Sequence, residues 1–376
     1  MNLEHIPLFD HHAHAPFQES VWRKAPLEPY FSEGYDPALL EQHVPHTLFF
    51  RRSMRDLAEF YGCDPSKQAV LEARAGWDYL ELNKVMFEDA NISDLLLDDG
   101  IWPNQLWSVL EARHHLPLRV ERILRLETEL ATLLPLAQSA ADLLERFENH
   151  LRTLAPGLAG LKSILAYRTG LALETHSQAD FERAFTEAQH KREAGNSRLE
   201  QKALLDTALW RSLEVAAELG LPVQFHIGYG DPDLDLRLAN PLHLRPVFEA
   251  PHLKSLKVVL LHCYPFVREA GYLAGVYPGA YLDLGLTIPY TSVSGMRTAA
   301  LEALHLSPLT KVLLSTDAQR TPELFWLAAR WGRRILGQVL EQTIQDGDLT
   351  SSEAEEVAGR VLNGNARAIY PAGVGG

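Results

Sequence analysis

Eight short runs rich in leucine and β-branched residues, set apart by longer stretches with helical periodicity, leave this chain few folds to choose from. The runs fall at residues 6–9, 92–97, 120–126, 158–164, 222–226, 257–262, 280–284 and 311–315. Amphipathic segments lie between them. One example spans residues 199–219 and is closed by Gly220 and Pro222, in the order that ends helices. Strands that alternate with helices must run parallel, with the helices outside. Eight such strands are what a (β/α)8 barrel requires, so the expected class is α/β, with residues 1–376 forming one barrel domain. The long stretch at 17–90 breaks the rhythm. Its apolar positions recur at helical spacing, as in Met54, Leu57, Ala58 and Tyr61, and it is expected to be a helical insertion after the first strand.

Composition narrows the class of partner. The formal charge of -14, with no Lys/Arg-rich run, argues against a surface that tracks phosphates, so no nucleic-acid partner is expected. The first residues have neither a basic region nor an apolar core that would target export, and no apolar run reaches membrane-spanning length. The expected location is cytoplasmic, with no membrane partner. Cys63 and Cys263 form no C-x-x-C pair and are read as reduced thiols.

Chemistry enters at Asp10-His11-His12-Ala13-His14, directly after the first run. On a strand, residues i and i+2 share a face, so His12 and His14 can converge on one ion while His11 faces away. Neutral imidazole is a common ligand of zinc and related ions, and the end of a strand leaves room for water or substrate. Other ionisable residues fall at corresponding places: Lys162 inside the fourth run, His226 and His262 ending the fifth and sixth, and Asp317 just after the eighth. One histidine after a strand is unremarkable, but this many placements are not independent accidents. Imidazoles with a carboxylate suit zinc, iron or manganese and leave a coordination position open.

The ordered set Asp10-x-His12-x-His14, Lys162, His226, His262 and Asp317 resembles the amidohydrolase superfamily of metal-dependent TIM-barrel hydrolases. More narrowly, the chain is similar to the amidohydrolase-like portion that some proteins carry fused to a glutamine-synthetase-like domain. The similar stretches are residues 161–171, 224–231, 261–265 and 315–318, and the resemblance covers nearly the whole chain. No glutamine-synthetase-like part is expected here, since the chain stops soon after Tyr370.

The resemblance implies that His12, His14 and His226 hold a divalent metal, most readily zinc, as one or two ions. Asp317 would ligate the metal or take a proton beside it. His262 would be a second-metal ligand or a polarising, proton-handling imidazole. Lys162 would be carboxylated and bridge two ions, or bind a substrate carboxylate as an ammonium. Arg168 could clamp an anionic substrate group or make a surface salt bridge. The loop at 228–233 would place Tyr229 and Asp231 over a small-molecule substrate. Cys263 beside His262 is read as an inert thiol, because strand alternation would point the two apart. Three functions stay open: hydrolysis of a C–N bond in a small, carboxylate-bearing substrate, metal-dependent decarboxylation of a small acid, or a catalytically silent metal-binding barrel. A homo-oligomer is compatible with all three.

Overall fold

The computed structural model describes residues 1–370, so the glycine-rich tail lies outside the described residues. The strands are β1 Leu8–Ala13, β2 Ile92–Asp98, β3 Arg119–Arg125, β4 Leu158–Ser163, β5 Val223–His226, β6 Val258–Leu261, β7 Ala280–Asp283 and β8 Val312–Leu313. They follow one another in an eight-stranded sheet in chain order, β1 to β8. Pairing is parallel for β1 with β2, and for β3 through β7 in succession. This is an α/β fold consistent with a TIM-type barrel, and each strand overlaps one of the eight runs read from the sequence, although β1 continues past its run to Ala13 and ends one residue before His14.

The chain divides into two compact units. The first comprises Met1–Glu121, Leu284–His305 and Val312–Ala366. It contains β1, β2 and β8. Residues 14–91, which join β1 to β2, carry helices at Pro37–Gln42, Leu48–Tyr61, Lys67–Ala75 and Tyr79–Asp89, with no strand among the described residues at 20–88. Their starts are fixed by side-chain caps: Asp36, Thr47, Ser66 and Asp78 each accept from backbone N–H groups of the first turn. The helix Leu48–Tyr61 ends at Gly62, whose φ of 68° suits the left-handed region, and it buries Phe49, Phe50, Met54 and Leu57 on one face. Full burial of such a side chain contributes about 1.5–3 kcal/mol. The long helix Pro322–Asp346 packs on this layer through Trp326 and Trp331, whose indole N–H groups donate to Asp89 and Asp56. Arg333 on the same helix is buried and donates to the carbonyls of Ile6, Ala90 and Asn91, tying the helix to both strand entrances.

The second unit comprises Arg122–Asp283, Leu306–Lys311 and Arg367–Gly376. Here β6, Val-Val-Leu-Leu, reads as a continuous and fully buried apolar run, as expected where both faces are covered. The helix Lys202–Leu219 ends at Gly220 with φ 69°, where the sequence places its stop. No helix among the described residues is long and apolar enough to cross a membrane.

Candidate metal centre

In the first unit, β1, the residue that follows it and the residues after β8 bring three ionisable side chains together. Nε2 of His12 lies 3.2 Å from Oδ1 of Asp317, and Nε2 of His14 lies 3.9 Å from the same oxygen. One ligand atom from each residue falls within 4.8 Å of the others, a spacing that one ion can bridge. His12 is buried while His14 and Asp317 are partly exposed, which leaves the cluster a way to water.

The surroundings fix these groups in position. Nδ1 of His14 lies 2.9 Å from the carbonyl oxygen of Asp98 at the end of β2. A carbonyl only accepts, so Nδ1 carries the proton and the Nε2 lone pair turns toward Asp317, the tautomer and orientation typical of a metal-ligating histidine. Buried Asp10 accepts from the backbone N–H of Thr316 at 2.9 Å and from the Thr316 hydroxyl. That hydroxyl oxygen accepts in turn from the Ala318 N–H at 3.0 Å. Charge-assisted bonds of this kind contribute about 1.5–3 kcal/mol each, so Asp10 works as a brace that aims Asp317. Asp317 itself sits at φ 49°, a left-handed conformation that costs an ordinary L-residue about 1–2 kcal/mol. Backbone bonds from Asp317 N–H to His12 O and from His14 N–H to Ala318 O hold it there. Two imidazoles and a carboxylate, with one imidazole locked from behind, fit a divalent ion.

The second unit gathers a different set. His226, at the end of β5, stacks obliquely on His262 with ring centroids 4.6 Å apart. Its Nε2 lies 3.0 Å from the Tyr229 carbonyl oxygen and 3.0 Å from the Tyr167 hydroxyl. The carbonyl requires a proton on Nε2, so ligation by His226 would use Nδ1 or need these two oxygens to withdraw. Gly230 makes the arrangement sterically feasible, because a Cβ there would meet the Tyr167 hydroxyl at 2.0 Å. Gly228 is likewise confined to glycine, with φ 72° and a Cβ position 2.1 Å from the Tyr264 carbonyl oxygen.

His262 and Cys263 lie past the end of β6, both with positive φ, so strand alternation does not separate them as the sequence pattern suggested. Cys263 is nevertheless buried, its thiol donates to the Leu260 carbonyl, and burial pushes its pKa up. An inert thiol remains the right description. The His262 N–H donates to Asp283 at 3.2 Å, and Nδ1 of its ring is 3.9 Å from the same carboxylate oxygen.

Lys162 is buried in β4, in register with Arg125 and Gln224. Arg168 donates to the Tyr167 carbonyl at 3.2 Å, and burial, then the charge of Arg198, hold its pKa below the usual arginine value. Asp231 accepts from the Asp233 N–H, and burial raises its pKa. Four contributors escaped the sequence reading: Asp10 as a brace, the Asp98 carbonyl, Tyr167 and Asp283. Only Asp10 carried a signal, its fixed place in the Asp-x-His-x-His pattern.

Comparison with known proteins identifies the family. Residues 176–372 match the family model for amidohydrolases. Protein fluG of Emericella nidulans is 33% identical over 97% of this chain, which spans 45% of that relative's length. A solved structure from Lactobacillus casei ATCC 334, assigned as a metal-dependent hydrolase, superposes with a TM-score of 0.87 at 29% identity, covering 98% of this chain and 96% of that one. Uronate isomerase of Thermotoga maritima shares the fold, with a TM-score of 0.64 at 13% identity over 98% and 95% of the two chains. The family match and the extent of these similarities place the chain in the amidohydrolase superfamily.

Proposed function

We propose that this protein is a metal-dependent hydrolase that cleaves a C–N bond in a small, carboxylate-bearing substrate. The observation that carries the reading is the convergence of His12 Nε2, His14 Nε2 and Asp317 Oδ1, with the outer nitrogen of His14 held by the Asp98 carbonyl. Bound to these atoms, a divalent ion, most readily zinc, would supply Lewis acidity and make water acidic near neutral pH. Asp317 is the proton carrier of the cluster. Its oxygen lies against both imidazoles, where it can accept a proton from the attacking water and return it to the leaving nitrogen. His12 and His14 orient that carboxylate, and Asp10 holds the backbone that bears it. For Lys162, His226 and His262 the reading keeps the roles that the resemblance implies, as metal ligands or proton carriers, with Lys162 carboxylated if two ions bind. Arg168, Tyr229 and Asp231 are kept as substrate contacts.

The test is a screen of N-acyl amino acids and cyclic amides with zinc-loaded protein, following amine release. Turnover should be abolished by chelation and restored by metal. Release of carbon dioxide from small aromatic acids, without amine release from any amide, would overturn the assignment.

A further inference from the structure

The first unit holds four buried or largely buried arginines whose surroundings differ sharply. Arg74 is paired with Glu323, Arg333 donates to three carbonyls, and Arg52 donates to the carbonyls of Pro289 and Thr291. Arg320 has none of this. Among the described residues its guanidinium makes no hydrogen bond and no ion pair. It stacks instead on Trp102, with its central carbon 3.9 Å from the ring centroid, and lies 5.8 Å from the ring centroid of Tyr30. Stacking on an aromatic face neutralises no charge and leaves the planar N–H fork of a guanidinium unused. Burial holds the Arg320 pKa below its ordinary value, with Glu33 the leading opposing influence.

Its position is set by the same ladder that sets Asp317. Beyond β1 the backbone pairs His14 N–H with Ala318 O, Arg320 N–H with Ala15 O, and Phe17 N–H with Arg320 O, at 2.8 to 3.1 Å. Arg320 adopts φ 69°, the second left-handed residue in this short segment after Asp317. A conformation that costs about 1–3 kcal/mol and leaves a largely buried cation with no anion in direct contact is characteristic of a binding position. Three residues span at most about 10 Å of backbone, so the fork lies within reach of one small molecule that also touches Asp317.

We propose that Arg320, stacked on Trp102, is the specificity-determining residue that takes the substrate's carboxylate in bidentate fashion. The reacting bond then lies at His12, His14 and Asp317. The location of the reacting bond rests on the function proposed above, whereas the anion site stands on the geometry of Arg320 alone.

The experiment is a calorimetric titration of the full, zinc-loaded chain with acetate, succinate and benzoate, each compared with the uncharged benzamide. Wild type should prefer at least one carboxylate over benzamide. Arg320→Met should weaken that carboxylate by about ten- to a hundred-fold, with bound metal unchanged. Arg320→Lys, which keeps the charge and loses the planar fork, should fall between them, and it decides the question if the methionine variant does not fold. Arg23→Met, at an exposed arginine paired with Glu19, should bind as wild type does. Replacing His12 and His14 by alanine should leave the Arg320-dependent preference in place, which separates failure of the metal reading from failure of this one. Equal carboxylate affinity in wild type and both Arg320 variants would overturn the proposal. So would a preference that disappears with the metal, or the absence of any preference in wild type.

Discussion

Two clusters in this protein contain almost the same side chains and differ in what surrounds them. His12, His14 and Asp317 bring ligand atoms within 4.8 Å of one another, and so do Glu174, His176 and Asp206. In the second cluster the buried Asp206 carboxylate accepts at one oxygen from His176 at 2.9 Å, from the Lys202 ammonium at 2.8 Å and from the Glu174 backbone N–H at 3.1 Å. The lysine supplies the cation, and the aspartate pins the chain segment at Glu174 to the helix Lys202–Leu219. In the first cluster two imidazoles turn toward one carboxylate oxygen, and the back of His14 is locked by a carbonyl. Ligand-type residues at ligand distances do not make a metal centre. Their orientation and the source of the neutralising charge do.

The comparison breaks most directly through mutation of the ligands. Replacing His12 and His14 together by alanine should remove most bound metal, measured by elemental analysis, whereas His176→Ala should leave metal content unchanged. Equal loss in both variants would erase the distinction. A smaller effect is expected at Asp317. Asp317→Asn keeps size and weak ligation but removes the proton acceptor, so metal should stay bound. Loss of general acid–base transfer should lower kcat by about 10²–10⁴-fold, close to 3–5 kcal/mol, with a lesser change in KM. A near wild-type kcat would separate Asp317 from the chemistry.

The second cluster should show itself in stability. Asp206→Ala takes away the acceptor for three donors at a fully buried position, and it should cost about 2–4 kcal/mol in chemical denaturation with no loss of metal. The smallest effect concerns a third buried acid. Glu127 accepts from the Ser163 hydroxyl and the Ile164 N–H, yet burial raises its pKa above 4.5. Its folded pKa therefore exceeds its unfolded value. The stability it contributes is full below about 4.5 and is lost as pH rises through the folded pKa. Thermal melts of wild type should decline over that rise more than those of Glu127→Gln. By contrast, Glu323 is also buried and desolvation is again the largest single influence, but the charge of Arg74 and the hydrogen bonds from Thr321, the Glu323 backbone and Arg74 together outweigh it and hold its pKa down, so its contribution is lost on acidification instead. Parallel pH profiles for wild type and the Glu127 variant would contradict the sign.

The strands were legible as short apolar runs, most plainly where both faces are covered, as in Val258–Leu261. Between β1 and β2, the helical spacing at residues 53–61 and 70–73 falls on the helices Leu48–Tyr61 and Lys67–Ala75, whereas Pro37–Gln42 and Tyr79–Asp89 were not singled out. His12, His14 and Asp317, whose ligand atoms lie within 4.8 Å of one another, were singled out from their places at strand ends. What the sequence concealed was set by tertiary contact. Arg320 has no local partner or motif, and its significance lies in a ring from residue 102 and in what its fork does not touch. His262 looked like a strand residue because its run is apolar up to Leu261, yet its φ of 71° takes it out of the alternation. The Asp98 carbonyl carries no sequence signal at all, since any residue would supply one.

Anomalous scattering from metal-loaded crystals, measured at the zinc, iron and manganese edges, shows directly which cluster holds the ion. The expected result is a peak bounded by His12 Nε2, His14 Nε2 and Asp317, and none beside Asp206. A peak among Glu174, His176 and Asp206 with none at the first cluster would contradict it.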